Sequence, residues 1–482
     1  MNSQNIGKKT AQGLLYKLLE RSGVQVVALI VSIILARLLQ PSDYGTIAMV
    51  TIVIEIVNIF VNYGLSSALI QNQNAGKEDI STCFWGSLGF GFFLYLLVFV
   101  LARPISLFFE MVELTAIIRV MGMQIPFTMI HSVQVAIISK RFLYRKLSVV
   151  MLFTCGISGV LGIGMAYSNF GVWALVAQSM CSVILPTIIL FIILDWKPER
   201  TFSLTCLKGQ IAYAWRLLIV GMVDCLYAEI RNLVIAKVYT SSDLAFYNKG
   251  AQFPKLISNT VNQSVISVLF PSFSLIQDDR KKAIGYLRKA IAIITFILPP
   301  VLGGLASVST EVVSVLLTEK WLPCVPYMQI LCLAYMITPI QSIYKQMLKA
   351  INKTKILLCS NIVEKVIGIV LLIVAVPFGI EAICWSFLSY HLVGMVTYMM
   401  AAKFSLGYNY IYQIIDMIPG IVATVLMVTI VSVFGTQMGA WGIQSDLLRL
   451  VIKCGIGVAC YAVVAFIIPN EPAKLLKQKL HI

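Results

Sequence analysis

The chain has 482 residues, of which 59% are hydrophobic and only 12% charged, with a formal net charge of +16 and a mean hydropathy of +0.89. A soluble core has no use for so much apolar surface, whereas a bilayer accepts it as the solvent of its helices, so a water-soluble globular fold is excluded. The positive charge sits in short gaps between apolar runs and not on a separate basic domain, which excludes nucleic acid as a partner.

Fourteen apolar runs follow one another, each close to the roughly 20 residues that a helical crossing needs. They predict spans over 20–39, 46–68, 82–102, 114–139, 147–167, 171–194, 212–238, 251–275, 284–308, 324–348, 356–376, 380–402, 413–434 and 447–468. The runs are continuous and do not alternate on a two-residue period, so helices are expected and not a barrel. The expected class is an all-α polytopic membrane protein of about 14 transmembrane helices.

Charge in the gaps gives the orientation. Lys8, Lys9, Lys17 and Arg21 precede the first span, and Lys140, Arg141, Arg145 and Lys146 join the fourth to the fifth. Lys197, Arg200 and Lys208 follow the sixth, and Arg280, Lys281, Lys282, Arg288 and Lys289 follow the eighth. Lys345, Lys349, Lys353 and Lys355 cluster around the end of the tenth; Lys474, Lys477 and Lys479 close the chain. The gaps 167–171 and 435–445 carry no charge. Basic residues resist translocation, so the basic gaps and both termini are expected in the cytoplasm. No cleavable signal peptide is evident, because the first run lacks a convincing small-residue cleavage site and leads straight into another span. The 11 cysteines lie almost all inside apolar runs without CxxC pairs and read as small hydrophobes.

An internal echo organises the chain. Residues 35–43 read Leu-Ala-Arg-Leu-Leu-Gln-Pro-Ser-Asp and residues 235–243 read Ile-Ala-Lys-Val-Tyr-Thr-Ser-Ser-Asp, an offset of 200. A weaker echo relates Thr128, Ile130 and Ser132 to Thr338, Ile340 and Ser342. Two six-helix repeats related by a parallel pseudo-two-fold axis are expected, with the substrate path between the halves. The predicted division is an N-terminal bundle over 1–194, a cytoplasmic linker over 195–211, a second bundle over 212–402, and two additional helices with a basic tail over 403–482.

Polar residues inside spans are costly and mark cavities or partners. In span two, Glu55, Asn58 and Asn62 share one helix face, and in span eight so do Lys255, Asn259, Asn262 and Gln263. The 200-residue offset pairs Glu55 with Lys255 and Asn62 with Asn262, so these spans are expected to face each other across a cavity. Span seven adds Asp224 and Arg231 on one face and Glu229 on another; span four has Arg119, Gln124 and His131; span eleven has Asn361, Glu364 and Lys365. The competing reading is that such charges pair with one another and lock helices together, that Arg119 snorkels to headgroups, and that His131 is a packing residue. Arg449 and Lys453 open span fourteen from outside, within reach of lipid phosphates.

The chain resembles the polysaccharide or O-antigen flippases (Wzx-type) of the multidrug/oligosaccharidyl-lipid/polysaccharide exporter superfamily, closest to the colanic-acid and teichuronic-acid exporter branch. The resemblance is carried by Ala36-Arg37-Leu38-Leu39 with Pro41-Ser42-Asp43-Tyr44-Gly45, by Asp79-Ile80-Ser81-Thr82 with Phe84-Trp85, by Phe270-Pro271-Ser272-Phe273 and by Lys320-Trp321-Leu322-Pro323. It implies a bacterial inner-membrane flippase, not an enzyme, that moves undecaprenyl-diphosphate-linked oligosaccharide repeat units by alternating access for surface polysaccharide export. Its partners would be the lipid-linked oligosaccharide, the bilayer and a polysaccharide polymerase and export machinery. Arg231 and Lys255 would balance phosphate charge, and Asn62, Asn259 and Asn262 would hydrogen-bond sugar hydroxyls; Gln263, Glu55, Asn58, Asp224 and Arg119 complete the candidate set. No cofactor is implied, and a proton or sodium gradient is the open question of coupling. A cation-coupled multidrug exporter of the same superfamily is the alternative, weakened because the first span has Glu20 only at its start and no deeper acid. A membrane glycosyltransferase or polymerase would need a catalytic domain or a large loop, and no gap is long enough.

Overall fold

A computed structural model describes residues 23–62, 66, 69, 76–141, 143–276, 279–440 and 444–467. The basic N-terminus with Glu20 and the basic C-terminal tail lie outside the described residues. Every regular element among the described residues is a helix. In chain order they are α1 (Gly23–Leu38), α2 (Pro41–Asn62), α3 (Lys77–Phe108), α4 (Leu114–Gly122), α5 (Gln124–Arg141), α6 (Tyr144–Tyr167), α7 (Val172–Ile193), α8 (Leu204–Val238) and α9 (Ser241–Leu275). There follow α10 (Arg280–Ser307), α11 (Ser309–Leu317), α12 (Val325–Ala350), α13 (Thr354–Ala375), α14 (Ile380–Leu406), α15 (Tyr410–Ala440) and α16 (Asp446–Ile467).

Among the described residues, 11 helical segments are long and apolar enough to cross a membrane. The other expected spans fall on α1, whose predicted start lies outside the described residues, and on α8 and α9, each of 35 residues. These last two have ample length. They carry charged and amide residues within that length: Asp224, Glu229 and Arg231 in α8, and Lys249, Lys255 and Asn259 in α9.

Contacts divide the chain into two compact units, Met1–Ala245 and Phe246–Ile482. The sequence groups α8 with the second repeat, but by its contacts α8 packs against α2 and α3 within the first unit. In that unit, Val31, Leu35 and Leu39 of the α1 stretch meet Ala166, Ala174 and Leu175 of α6 and α7. In the second unit a continuous core joins Leu287 and Ile291 of α10 to Ile343, Tyr344 and Met347 of α12 and to Tyr398 and Ala402 of α14. Large apolar side chains also point outward, such as Phe92, Phe93, Leu96 and Val100 of α3 and Val451 and Val458 of α16. In a bilayer these faces meet lipid at no hydrophobic cost.

Several of the residues that carry the family resemblance build joints. Asp43 accepts a hydrogen bond from the Gln40 amide (3.0 Å), and Asp243 accepts one from the Thr240 amide (3.2 Å), so α2 and α9 open with the same cap 200 residues apart. Just before, the Leu39 amide bonds the Leu35 carbonyl and the Tyr239 amide bonds the Ile235 carbonyl, both at 2.9 Å. The echo in the sequence is therefore an echo in backbone geometry. Asp79 does the same for α3, accepting from the Gly76 amide at 2.8 Å. Ser81 and Thr82 then accept from the Glu199 and Ser203 amides (both 3.1 Å), and Trp85 donates to the Glu199 carbonyl at 2.9 Å. The start of α3 thus clamps the predicted linker. Trp321, fully buried, stacks edge-on against Phe246 and lies 5.6 Å below the Lys249 ammonium.

Candidate functional site

In the first unit the polar residues of α8 separate by face. Arg231 is 4% exposed, with its guanidinium 5.5 Å from the Tyr227 ring centre, while Asp224 is exposed. Glu229 accepts from Asn232 at 2.7 Å, one turn along the helix. The Cys225 thiol reaches the Glu55 carbonyl of α2 at 3.6 Å, so α2 and α8 are in contact where Glu55 and Asp224, both exposed, leave their helices. Asn58 is half-buried one turn further along α2, and the side chain of Asn62 lies outside the described residues. Arg119 sits elsewhere: its Nε donates to the Phe99 carbonyl (3.4 Å) and its guanidinium covers the Phe99 ring at 4.4 Å, tying α4 to α3. A cation held over a ring in this way is an anchoring contact of about 0.5–2 kcal/mol.

In the second unit, α9 presents Lys255, Asn259 and Gln263 as exposed residues with Asn262 half-buried beside them. Their spacing of four, three and one keeps them on one side of the helix. A charge and three amides are costly against hydrocarbon, which makes this side of α9 a candidate surface for a polar ligand. Nearly two turns earlier Lys249, 5% exposed, donates to Gln252 at 3.1 Å.

The same unit holds a buried polar network that the sequence only half reveals. Glu364 of α13, 2% exposed, accepts from the Tyr398 hydroxyl of α14 at 2.7 Å and faces the Lys345 ammonium of α12 at 3.6 Å. Tyr398 lies 2.9 Å from Asn361, and Lys345 lies 4.9 Å from the Tyr398 ring centre. Gln341, one turn before Lys345, donates to the His391 carbonyl at 2.8 Å. Nearby, Arg288 forks onto Asp416 with two 2.8 Å bonds, which fastens α10 to α15.

Two charges read from the sequence as surface features are internal. Lys345 belongs to the Glu364 network and is not only a topology signal in the basic gap. Lys453 pairs with Glu311 of α11, with side chains 12% and 9% exposed, and so does not reach outward to lipid phosphates. The signal for the first was present, since Gln341 and Lys345 lie four apart on one face; the partner Tyr398 had no signal, being an aromatic in an apolar run. A cavity of about 1030 Å³ beside Lys453 is walled by Ile293, Pro300, Met427, Val458 and Tyr461. Its walls are mostly apolar and the Lys453 ammonium there is paired with Glu311, so the candidate polar surfaces remain those of α8 and α9.

Comparison with known proteins gives this arrangement a family. The profile described as "Polysaccharide biosynthesis protein" matches residues 34–326. The chain belongs to that family. The match spans both the α2 and α9 caps and the α3 clamp. The chain is similar to the succinoglycan biosynthesis transport protein ExoT of Rhizobium meliloti (strain 1021), 23% identical over 93% of this chain and 91% of the relative. It is also similar to the lipopolysaccharide biosynthesis protein WzxC of Escherichia coli (strain K12), 20% identical over 86% and 85%. Among solved structures, the lipid II flippase MurJ in its inward closed conformation superposes with a TM-score of 0.76 at 15% identity, covering 97% of this chain and 100% of that one. At that identity the likeness concerns the fold. This member of the polysaccharide biosynthesis family is a multi-pass helical membrane protein with the MurJ fold.

Proposed function

We propose that the chain is a flippase of the bacterial cytoplasmic membrane that moves undecaprenyl-diphosphate-linked oligosaccharide repeat units outward by alternating access, for surface polysaccharide export. Its fourteen crossings leave both termini in the cytoplasm, it performs no covalent chemistry, and it hands its cargo to a polysaccharide polymerase and export machinery. The observation that carries this reading is the polar side of α9: Lys255, Asn259 and Gln263, exposed on a helix of a membrane-embedded family member. Cations and amides are what a diphosphate and a glycan require, and a hydrophobic drug would find little to hold there. Arg231 adds a buried cation on α8; Glu55, Asn58, Asn62 and Asp224 supply acceptors and donors for hydroxyls. Arg119 is assigned the lesser role, because its guanidinium is engaged with Phe99.

The test is the pair Lys255→Ala and Lys255→Arg, scored for membrane abundance and surface polysaccharide in cells lacking the native copy. The alanine variant is expected at normal abundance with most export lost and lipid-linked units accumulating inside; arginine keeps the charge and retains part of the export. Normal export from a well-expressed Lys255→Ala, Arg231→Ala double variant would remove the electrostatic role.

A further inference from the structure

Thr318 joins α11 to the short helix Glu319–Cys324 in a backbone conformation that suits glycine, with φ 89° and ψ 166°. The other described non-glycine residues with positive φ, Glu110, Asn169 and Asn352, lie at 58°, 60° and 57°, in the mild left-handed well. Where the chain takes up the same conformation before α14 it has Gly379, at φ 98° and ψ 174°. Thr318 is β-branched, so such a conformation is strained and persists only where the surroundings impose it. Here they do. The Thr318 amide donates to the Val313 and Ser314 carbonyls (3.1 and 3.2 Å), and its carbonyl accepts from the Trp321 amide (3.1 Å). On one side of the joint Trp321 is fully buried. On the other, α11 is tied to α16 by the Glu311–Lys453 pair and by the Ser314 hydroxyl, which donates to Asp446. Lys453 is itself pressed against α15, since an added Cβ on Gly435 would lie 2.6 Å from its Cε.

Trp321 and α16 are the anchors, and α11 is the piece stretched between them. Val308 and Val312, at the start and in the first turn of α11, wall the cavity beside Lys453 at the end remote from the basic turn 280–282. We propose that α11 is a strap, fastened to α16 against the strain at Thr318, and that it peels away during the transport cycle to open that end of the cavity. The main tie suits a reversible contact, because the attraction within a buried ion pair is largely offset by the desolvation of both charges. The strain works against the ties, since freeing α11 lets Thr318 leave the glycine region. Lys453 stays with α15 when the pair parts, so the moving element is α11 and not α16. The motion of the strap is defined without reference to cargo, whereas its place in the cycle rests on the transport reading above.

The experiment is hydrogen exchange on the purified full-length chain in lipid nanodiscs, read at the amides of residues 309–317 with α14 as the internal reference. Thr318→Gly removes the strain and keeps every tie, so opening becomes rarer and exchange should slow about tenfold, the factor that the lower part of the usual strain range gives. Thr318→Ala keeps a Cβ in the glycine region and should exchange much nearer the wild-type rate. Glu311→Gln removes one tie and should exchange faster than wild type in 309–317, with α14 unchanged. In cells, Thr318→Gly at normal abundance should export surface polysaccharide more slowly than wild type, and Thr318→Ala should export at close to the wild-type rate. Equal exchange in wild type and Thr318→Gly would overturn the strain, and unchanged exchange in Glu311→Gln would overturn the fastening. Slower exchange with normal export in Thr318→Gly would overturn the place of the strap in the cycle and leave the flippase reading intact. The predicted exchange rates in a chain that moves no lipid-linked glycan would uphold the strap as a moving part and remove the flippase reading together with the strap's place in it.

Discussion

Gly45 and Gly394 mark places where the fold has no room for a side chain. A Cβ on Gly45 would overlap the Ser241 carbonyl, so the first turns of α2 and α9 touch backbone to backbone. A Cβ on Gly394 would instead meet the ends of two side chains, Glu364 and Gln341. Gly394→Ala is therefore expected to cost about 1–3 kcal/mol, the usual range for overpacking a filled site. Gly45→Ala should cost more, since a carbonyl in a helix cannot swing aside as a side chain can. Thermal melting of the two purified variants in one detergent checks the order; equal melting temperatures would refute the backbone contact. Glu110 supplies a pH prediction at the same scale. The Lys237 ammonium, bonded to it at 2.7 Å, holds its carboxyl below the ordinary value. A depressed carboxyl contributes its stabilisation above the unfolded value and loses it as pH falls through the folded one. Hydrogen exchange in residues 108–113 should accordingly quicken relative to its intrinsic rate only below the ordinary carboxylate range, and Lys237→Met should abolish that pH dependence.

At the scale of elements, the start of α3 is a clamp on the stretch before α8. Ser81, Thr82 and Trp85 bond backbone groups of Glu199 and Ser203, and Phe84 packs edge-on against Trp196 at 5.9 Å. Each neutral hydrogen bond is worth about 1 kcal/mol net, so a Ser81→Ala, Thr82→Ala double variant should fold yet free the linker. Limited proteolysis of the purified protein should cut it within 195–203 faster than wild type, and unchanged cutting would show that Trp85 and Phe84 hold the stretch alone. The buried pairs behave differently. Removing one member of Lys345–Glu364 leaves the other without its partner in low dielectric, a loss of about 3–5 kcal/mol in buried pairs generally. Glu364→Gln keeps the shape but removes the charge, so it is expected toward the lower end of that range, since Lys345 retains some exposure, and thermal melting of the purified variant in detergent checks it.

For the whole molecule, much of the architecture was legible because bilayer thickness fixes run length and lipid demands continuous apolarity. The caps at Asp43 and Asp243 were legible too, as a repeated motif whose chemistry is local. What the sequence could not show was partnership across distance. Lys345 shares a helix face with Gln341, but no spacing ties it to Glu364 across the intervening turn, and Tyr398 has no signal at all. Nor could composition alone assign α8 to the first compact unit, since its contacts with α2 and α3 depend on packing. The candidate site was legible as residue types: the stripe of Lys255, Asn259, Asn262 and Gln263 read as a face and is one, while Arg119 reads the same way and is engaged with Phe99. The most direct measurement of the central claim is transbilayer movement in proteoliposomes. Undecaprenyl-diphosphate-linked repeat units are placed in the inner leaflet, and their exposure to an external glycosidase is followed under an imposed proton or sodium gradient. The account predicts that the wild-type chain exposes the units and that the Lys255→Ala, Arg231→Ala variant, equally well folded and inserted, does not. Folded wild-type protein that leaves the units protected with the gradient in either direction would contradict it.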